Sequence, residues 1–433
     1  MRILISAGEA SGEMYGAQLI EALRAELLEG PNIADAAESG PEGQAGEGAH
    51  SIPALQSIAQ GRPRAALEFF GVGGERMRAA GCDTVVDAKD LAVVGITEIL
   101  SHLPKIWRLF HHLIEEADQR KPDLAIVIDS PAFNWRVARQ MKKRGVPVAY
   151  YVCPQFWAWR QGRVRLLRKY VDKALIIFPF EEKFYRDRGV DTEFVGHPLA
   201  ELSRPNVSRE QYAATFGLDT AKQWITLMPG SRRKEVRMNL PGILQGASLL
   251  SGDFEFLLPV APTLDPEYFA QFLIPAHELR ERVHLVPEAL PALAHSRVGI
   301  IASGTATVEA ALMDLPFVMV YRVTGMTYLL GRSTVKVPYF AMVNLIAGKK
   351  VVPELVQHDF TPEAVAGEVR KIIPEGAARA EMLEELKRVK SRLRGSNGGA
   401  GAPRRAAEAI RTLFGRQVSS PGLPTVNNLP NLP

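Results

Sequence analysis

Short apolar runs alternate with amphipathic stretches along nearly the whole chain. In the first half the runs are Arg2–Ala7, Glu68–Val72, Leu124–Asp129, Pro147–Val152, Lys173–Phe178 and Glu193–Val195. In the second half they are Trp224–Met228, Phe254–Val260, Val283–Val286, Val298–Ala302 and Pro316–Tyr321. Most are continuously apolar rather than alternating, as expected of parallel strands covered on both faces. Between them, Met14–Leu28 sets Leu19, Ile20, Leu23 and Leu27 on one face and predicts an amphipathic helix. Asn239 as a cap and Pro241 near the first turn predict another helix over Leu240–Leu250. Repeated strand–helix units of this kind predict an α/β fold of doubly wound parallel sheets.

The chain's 433 residues exceed one comfortable core, so two domains of about 200 residues each are expected. The polar, proline-bearing segment Ser203–Val207 marks the join. The expected units are therefore 1–202 and 203–415, followed by a polar, proline-rich tail over 416–433 that should be disordered. Residues 29–61, rich in Gly, Ala, Glu and Pro, read as an inserted surface loop. A net charge of +4, from 52 basic against 48 acidic side chains, argues against a nucleic-acid binder. It suits an anionic small ligand or loose attachment to anionic lipid.

The two cysteines, Cys82 and Cys153, are too few and too far apart for a disulfide framework or a zinc site. A reducing compartment follows most simply. The start of the chain turns polar too early for a signal peptide, and no apolar run approaches the roughly 18 residues of a spanning helix. A cytoplasmic protein is expected, with any membrane contact peripheral. Leu91–Phe110 sets large apolar residues beside His102, Lys105 and Arg108, which reads either as core or as a membrane-surface device.

In open α/β sheets, ligands bind beyond the carboxyl ends of the strands. Four such ends carry candidate chemistry. After Met228, Pro229-Gly230-Ser231-Arg232 combines a tight turn, free N–H groups and a guanidinium, which suits a diphosphate; the alternative is a solvated basic turn. After Ala302, Ser303-Gly304-Thr305 leads into a helix. With Thr305 as its cap, Glu309 lies one turn in, where a carboxylate can accept both hydroxyls of a ribose or simply stabilise the helix dipole. After Ile128, Asp129 precedes a Ser130-Pro131 helix start and can serve as a general base, or form an Asx-type turn. After Ala7, Glu9 projects from a glycine-bracketed turn, as a functional or merely solvated carboxylate. Phe156, Trp157, Trp159 and Arg160 beyond another strand are core, or the lining of a sugar or acyl pocket. No Walker A, GxGxxG or Asp-x-Asp pattern occurs, so no metal and no cofactor are indicated.

Together these segments closely resemble the lipid-A-disaccharide synthase family. The strings carrying the resemblance are SAGEASGEMYGAQLI, FFGVGGERMRAAG, LAVVGITEIL, VIDSPAFN, YVCPQFWAWR, IIFPFEEKFY, FVGHPLAE, LMPGSRRKEV, ASGTATVEAAL, VMVYRVT and VNLIAGKKVVPELVQ. The resemblance implies a GT-B fold of two Rossmann-like domains and a metal-independent, inverting glycosyl transfer. It implies UDP-2,3-diacylglucosamine as donor and 2,3-diacylglucosamine 1-phosphate as acceptor, joined by a β-1,6 bond. It further implies peripheral contact with inner-membrane lipid and a homodimer. By motif, Asp129 matches the general base, Glu9 a second acidic residue important for activity, and Arg232 the diphosphate contact. Glu309 takes the ribose position and Asn344 the loop near the donor. Ala132 departs from the family, many of whose members carry a second Asp there, and the 29–61 insertion is also foreign to it. Two rivals share the architecture: a UDP-GlcNAc 2-epimerase, which needs no acceptor, and a nucleotide-sugar sensor, which has no turnover.

Overall fold

A computed structural model describes residues 1–8, 10–28, 67–91, 96–276, 279–325, 337–395 and 400–418. Glu9, the 29–61 insertion and the tail beyond 418 lie outside the described residues.

Among the described residues, two parallel sheets divide the chain. The first holds seven strands: β1 (Arg2–Ala7), β2 (Glu68–Gly73), β3 (Cys82–Asp87), β4 (Leu124–Ile128), β5 (Val148–Tyr151), β6 (Lys173–Ile176) and β7 (Thr192–Phe194). Their order is β3-β2-β1-β4-β5-β6-β7. The second holds six: β8 (Gln223–Met228), β9 (Phe254–Pro259), β10 (Val283–Val286), β11 (Val298–Ala302), β12 (Phe317–Tyr321) and β13 (Glu354–Val356), in the order β10-β9-β8-β11-β12-β13. Chain direction across each sheet therefore reverses once, between β1 and β4 and between β8 and β11. Open α/β sheets place their ligands at such switch points.

The apolar runs are central strands because helices cover both faces. All five residues of β4 and of β11 are buried, and each large side chain so buried contributes about 1.5–3 kcal/mol. Strands β3 and β13 were not expected. Both are edge strands, the first half-polar (CDTVVD) and the second three residues long, so neither has a continuous apolar signal.

The helix expected over Leu240–Leu250 instead spans Arg233–Ser248, with Pro241 inside it. Asn239 is no cap. It is fully buried, donating from Nδ2 to Pro229 O (3.0 Å) and accepting from Arg322 N at Oδ1 (2.9 Å). A tertiary role for Asn239 thus overrides its local capping preference.

Among the described residues, the halves are tied at several places, two of them by backbone carbonyls. His197 N donates to Leu393 O (2.9 Å). The last helix, Ala402–Val418, returns to pack on the first helix, Ala10–Leu28, and Arg405 Nε donates to Val195 O (2.7 Å).

Candidate active site

All four chemistry-bearing strand ends fall at the two switch points. The ends of β1 and β4 neighbour one another in the first sheet, as do those of β8 and β11 in the second.

Asp129 follows β4 and extends its ladder by donating its N–H to Tyr151 O (3.1 Å). There the backbone turns sharply: Asp129 and Ser130 both lie at positive φ, 48° and 44°. The helix Pro131–Lys143 begins at once, and Ser130 makes no side-chain capping bond to it. Two adjacent non-glycine residues in this region cost about 1–3 kcal/mol each. Buried donors offset that strain. Tyr150 Oη donates to Asp129 O (2.7 Å), and Asn134 Nδ2 donates to the same carbonyl (2.9 Å) and to Ile128 O (2.8 Å). At roughly 0.5–1.5 kcal/mol net per bond, the cluster is of the right size to hold the turn.

Gly8 closes the site from the side of β1. A Cβ on it would come within 2.5 Å of Ser130 Oγ, so only glycine lets the two loops meet.

In the second sheet, the turn after β8 is exposed. Arg232 is 70% exposed and pairs through Nη1 with Glu235 Oε1 at 3.1 Å. The N–H groups of Ser231 and Arg232 donate to Glu235 Oε2 (3.0 and 3.3 Å). These donors, expected to be free, are capped by the chain's own carboxylate at a helix N-terminus, where an anion is stabilised. Gly230 lies at φ 117°, and a Cβ there would meet the same carboxylate at 2.5 Å.

After β11, Ser303 Oγ donates to Phe340 O (2.8 Å), while Gly304 and Thr305 are exposed. Thr305 precedes the helix Ala306–Leu312 without a side-chain cap, correcting the expected hydroxyl cap. Glu309 lies within that helix, and burial holds its carboxyl above the usual range.

Asn344, expected near the donor, is fully buried. Its amide donates to Val352 O and Glu354 Oε1 (3.0 and 2.8 Å) and accepts from the N–H groups of Val351 and Val352 (2.7 and 2.9 Å). Glu354 in turn accepts from Phe340 N and Ala341 N (3.0 and 2.9 Å). Asn344 therefore shapes the loop from beneath, through Glu354.

Tyr15, on the first helix, shows where the halves converge. Burial raises its hydroxyl pKa, and the carboxylates of Asp129 and Glu309, from different sheets, both push the same way. Tyr15, Asn134, Tyr150, Glu235 and Glu354 were not singled out from sequence. Of these, only Glu235 carried a local signal, three residues after Arg232 at a helix start. Trp157 is buried, with its Nε1 donating to Glu181 Oε1 (2.8 Å), whereas Trp159 is 46% exposed.

A family model for lipid-A-disaccharide synthetase matches residues 44–397. The lipid-A-disaccharide synthase of Koribacter versatilis is 47% identical over 96% of this chain and 100% of its own length. That of Myxococcus xanthus is 40% identical over 95% of this chain and 97% of its own. The chain belongs to the lipid-A-disaccharide synthase family. It is a glycosyltransferase with the GT-B fold, as the motifs implied.

Solved structures agree on the fold. The calicheamicin glycosyltransferase CalG4 superposes with a TM-score of 0.54 at 14% identity, covering 96% of this chain and 98% of that one. The UDP-GlcNAc 2-epimerase of Neisseria meningitidis, solved with UDP-GlcNAc, gives 0.56 at 11%, covering 96% and 99%. At such identities the likeness shows the fold alone. No helix among the described residues is long and apolar enough to cross a membrane.

Proposed function

We propose that this member of the family transfers 2,3-diacylglucosamine from its UDP donor to the 6-hydroxyl of 2,3-diacylglucosamine 1-phosphate. Asp129 is the general base. The acceptor oxygen attacks the anomeric carbon as the bond from that carbon to the diphosphate oxygen breaks. The bonding pair leaves with UDP, and the hydroxyl proton passes to the Asp129 carboxylate. Attack from the face opposite UDP inverts the anomeric centre. Arg232 and the N–H groups of Ser231 and Arg232 offset charge growing on the diphosphate, once Glu235 yields them. Glu309 receives the ribose hydroxyls, with Ser303, Gly304 and Thr305 forming the adjoining wall. Glu9 is assigned, on its motif alone, as a second acidic residue of the acceptor side.

The observation that carries this reading is the Asp129 turn, strained and braced by buried donors at the switch point of the first sheet. Strain of this kind collects where a side chain must be held for chemistry.

The helix Ile96–Arg120 exposes Leu103 and Trp107, one turn apart and next to Arg108. This supports peripheral attachment to the cytoplasmic face of the inner membrane, where both lipid substrates reside. The side chains of 96–102 lie outside the described residues.

The test is mass spectrometry of the purified protein with both substrates in EDTA. A disaccharide 1-phosphate appearing with UDP is expected. Loss of UDP without acceptor, or conversion of the donor sugar alone, would favour an epimerase and overturn the transfer.

A further inference from the structure

We infer that Asn134 is the positioning residue of the reaction, setting the Asp129 turn in register with the end of β1; this rests on Asp129 being the base. Asn134 is fully buried. Its amide nitrogen reaches three carbonyl oxygens, Ser6 (3.1 Å), Ile128 (2.8 Å) and Asp129 (2.9 Å), and its Oδ1 accepts from Ser6 Oγ (2.7 Å). Only one orientation of the amide fits, because three of the four partners are acceptors. Asn134 also lies one turn into the helix Pro131–Lys143, and its own N–H donates to Ser130 O (3.0 Å). One side chain therefore joins both strands of the switch point and the helix leaving it.

An asparagine inside a helix is more often turned to solvent or bonded to its own backbone. Here it fixes the carbonyl of the residue whose carboxylate does the work, and that residue sits in a backbone region it would otherwise leave. Removing the amide frees the turn to relax, which displaces the carboxylate. A displacement of about 1 Å is enough for roughly 10²-fold in rate.

The experiment is a double-mutant cycle in the full chain, with single-turnover rates, UDP affinity and thermal midpoint for Asn134→Ala, Asp129→Asn and the double variant. Asn134→Ala is expected to lower the rate by about 10²-fold with UDP affinity within about twofold. In the Asp129→Asn background it should lower the residual rate by less than about threefold, because groups acting as a unit are not additive. Asn134→Asp keeps the volume but turns an oxygen toward the carbonyls, and should lose at least as much. Should the Asn134 variants fail to fold, Tyr150→Phe, which removes the other donor to the Asp129 carbonyl, carries the same cycle. It is expected to lose about tenfold alone and almost nothing beside Asp129→Asn.

Multiplicative losses, with Asp129→Asn itself strongly impaired but measurable, would reduce Asn134 to a core residue and overturn this inference alone. An Asp129→Asn enzyme that keeps most of its rate would overturn the base reading and this inference with it.

Discussion

The two switch points end in loops of opposite character. At the first, the Asp129 backbone is held by buried groups, among them Tyr150, Tyr151, Asn134 and, through Asn134, Ser6. At the second, Arg232 stands mostly in solvent and is paired with a carboxylate on its own helix. A proton acceptor must be held within a fraction of an ångström of its target. A diphosphate, by contrast, is recognised through charge and multiple donors, which tolerates a mobile guanidinium that closes on its ligand. On the roles proposed for Asp129 and Arg232, the half that supplies the base is buried and braced, and the half that meets the diphosphate is exposed.

The sharpest way to break this contrast is Asp129→Asn. It should lower turnover by about 10³-fold or more while UDP affinity, read by calorimetry, stays within about twofold. A large loss of UDP binding would place Asp129 on the donor side and dissolve the division of labour. Next in size is Arg232→Ala. It should weaken UDP binding by about 10- to 100-fold, as loss of a charge-assisted contact does, and leave the thermal midpoint nearly unchanged because the side chain is exposed. An unchanged UDP affinity would move the diphosphate away from the β8 turn.

The smallest effect is the most discriminating. Glu235→Gln should tighten UDP by a few-fold, since it removes the carboxylate now occupying the Ser231 and Arg232 N–H groups. Weaker binding would mean that Glu235 holds the turn in shape and that the diphosphate does not compete for those donors.

The central strands were legible because burial on both faces leaves an unbroken apolar run. All eleven strands so predicted are present, to within two residues at their ends. Of the four edge strands among the described residues, β7 and β10 were also legible, whereas β3, half-polar as CDTVVD, and β13, three residues opening on Glu354, were not. Asp129, Arg232 and Glu309, the residues proposed for the site, stand out for a different reason: each follows a strand end, where open α/β sheets bind their ligands. Asn239 misled because an asparagine before a helical pattern reads as a cap; it is in fact fully buried and bonded to distant backbone.

By itself, the sequence determined the two-sheet α/β architecture, the family, and the strand-end residues that carry charge. The architecture follows from periodicity and the family from the resemblance of short motif strings, both properties of a few neighbouring residues. Only the tertiary structure decided what braces them. The Ser6–Asn134 bond spans 128 residues, and Tyr15 meets the influence of Asp129 and Glu309 from separate sheets. Contacts over such separations are set by how the sheets are wound and packed, and no local pattern encodes them.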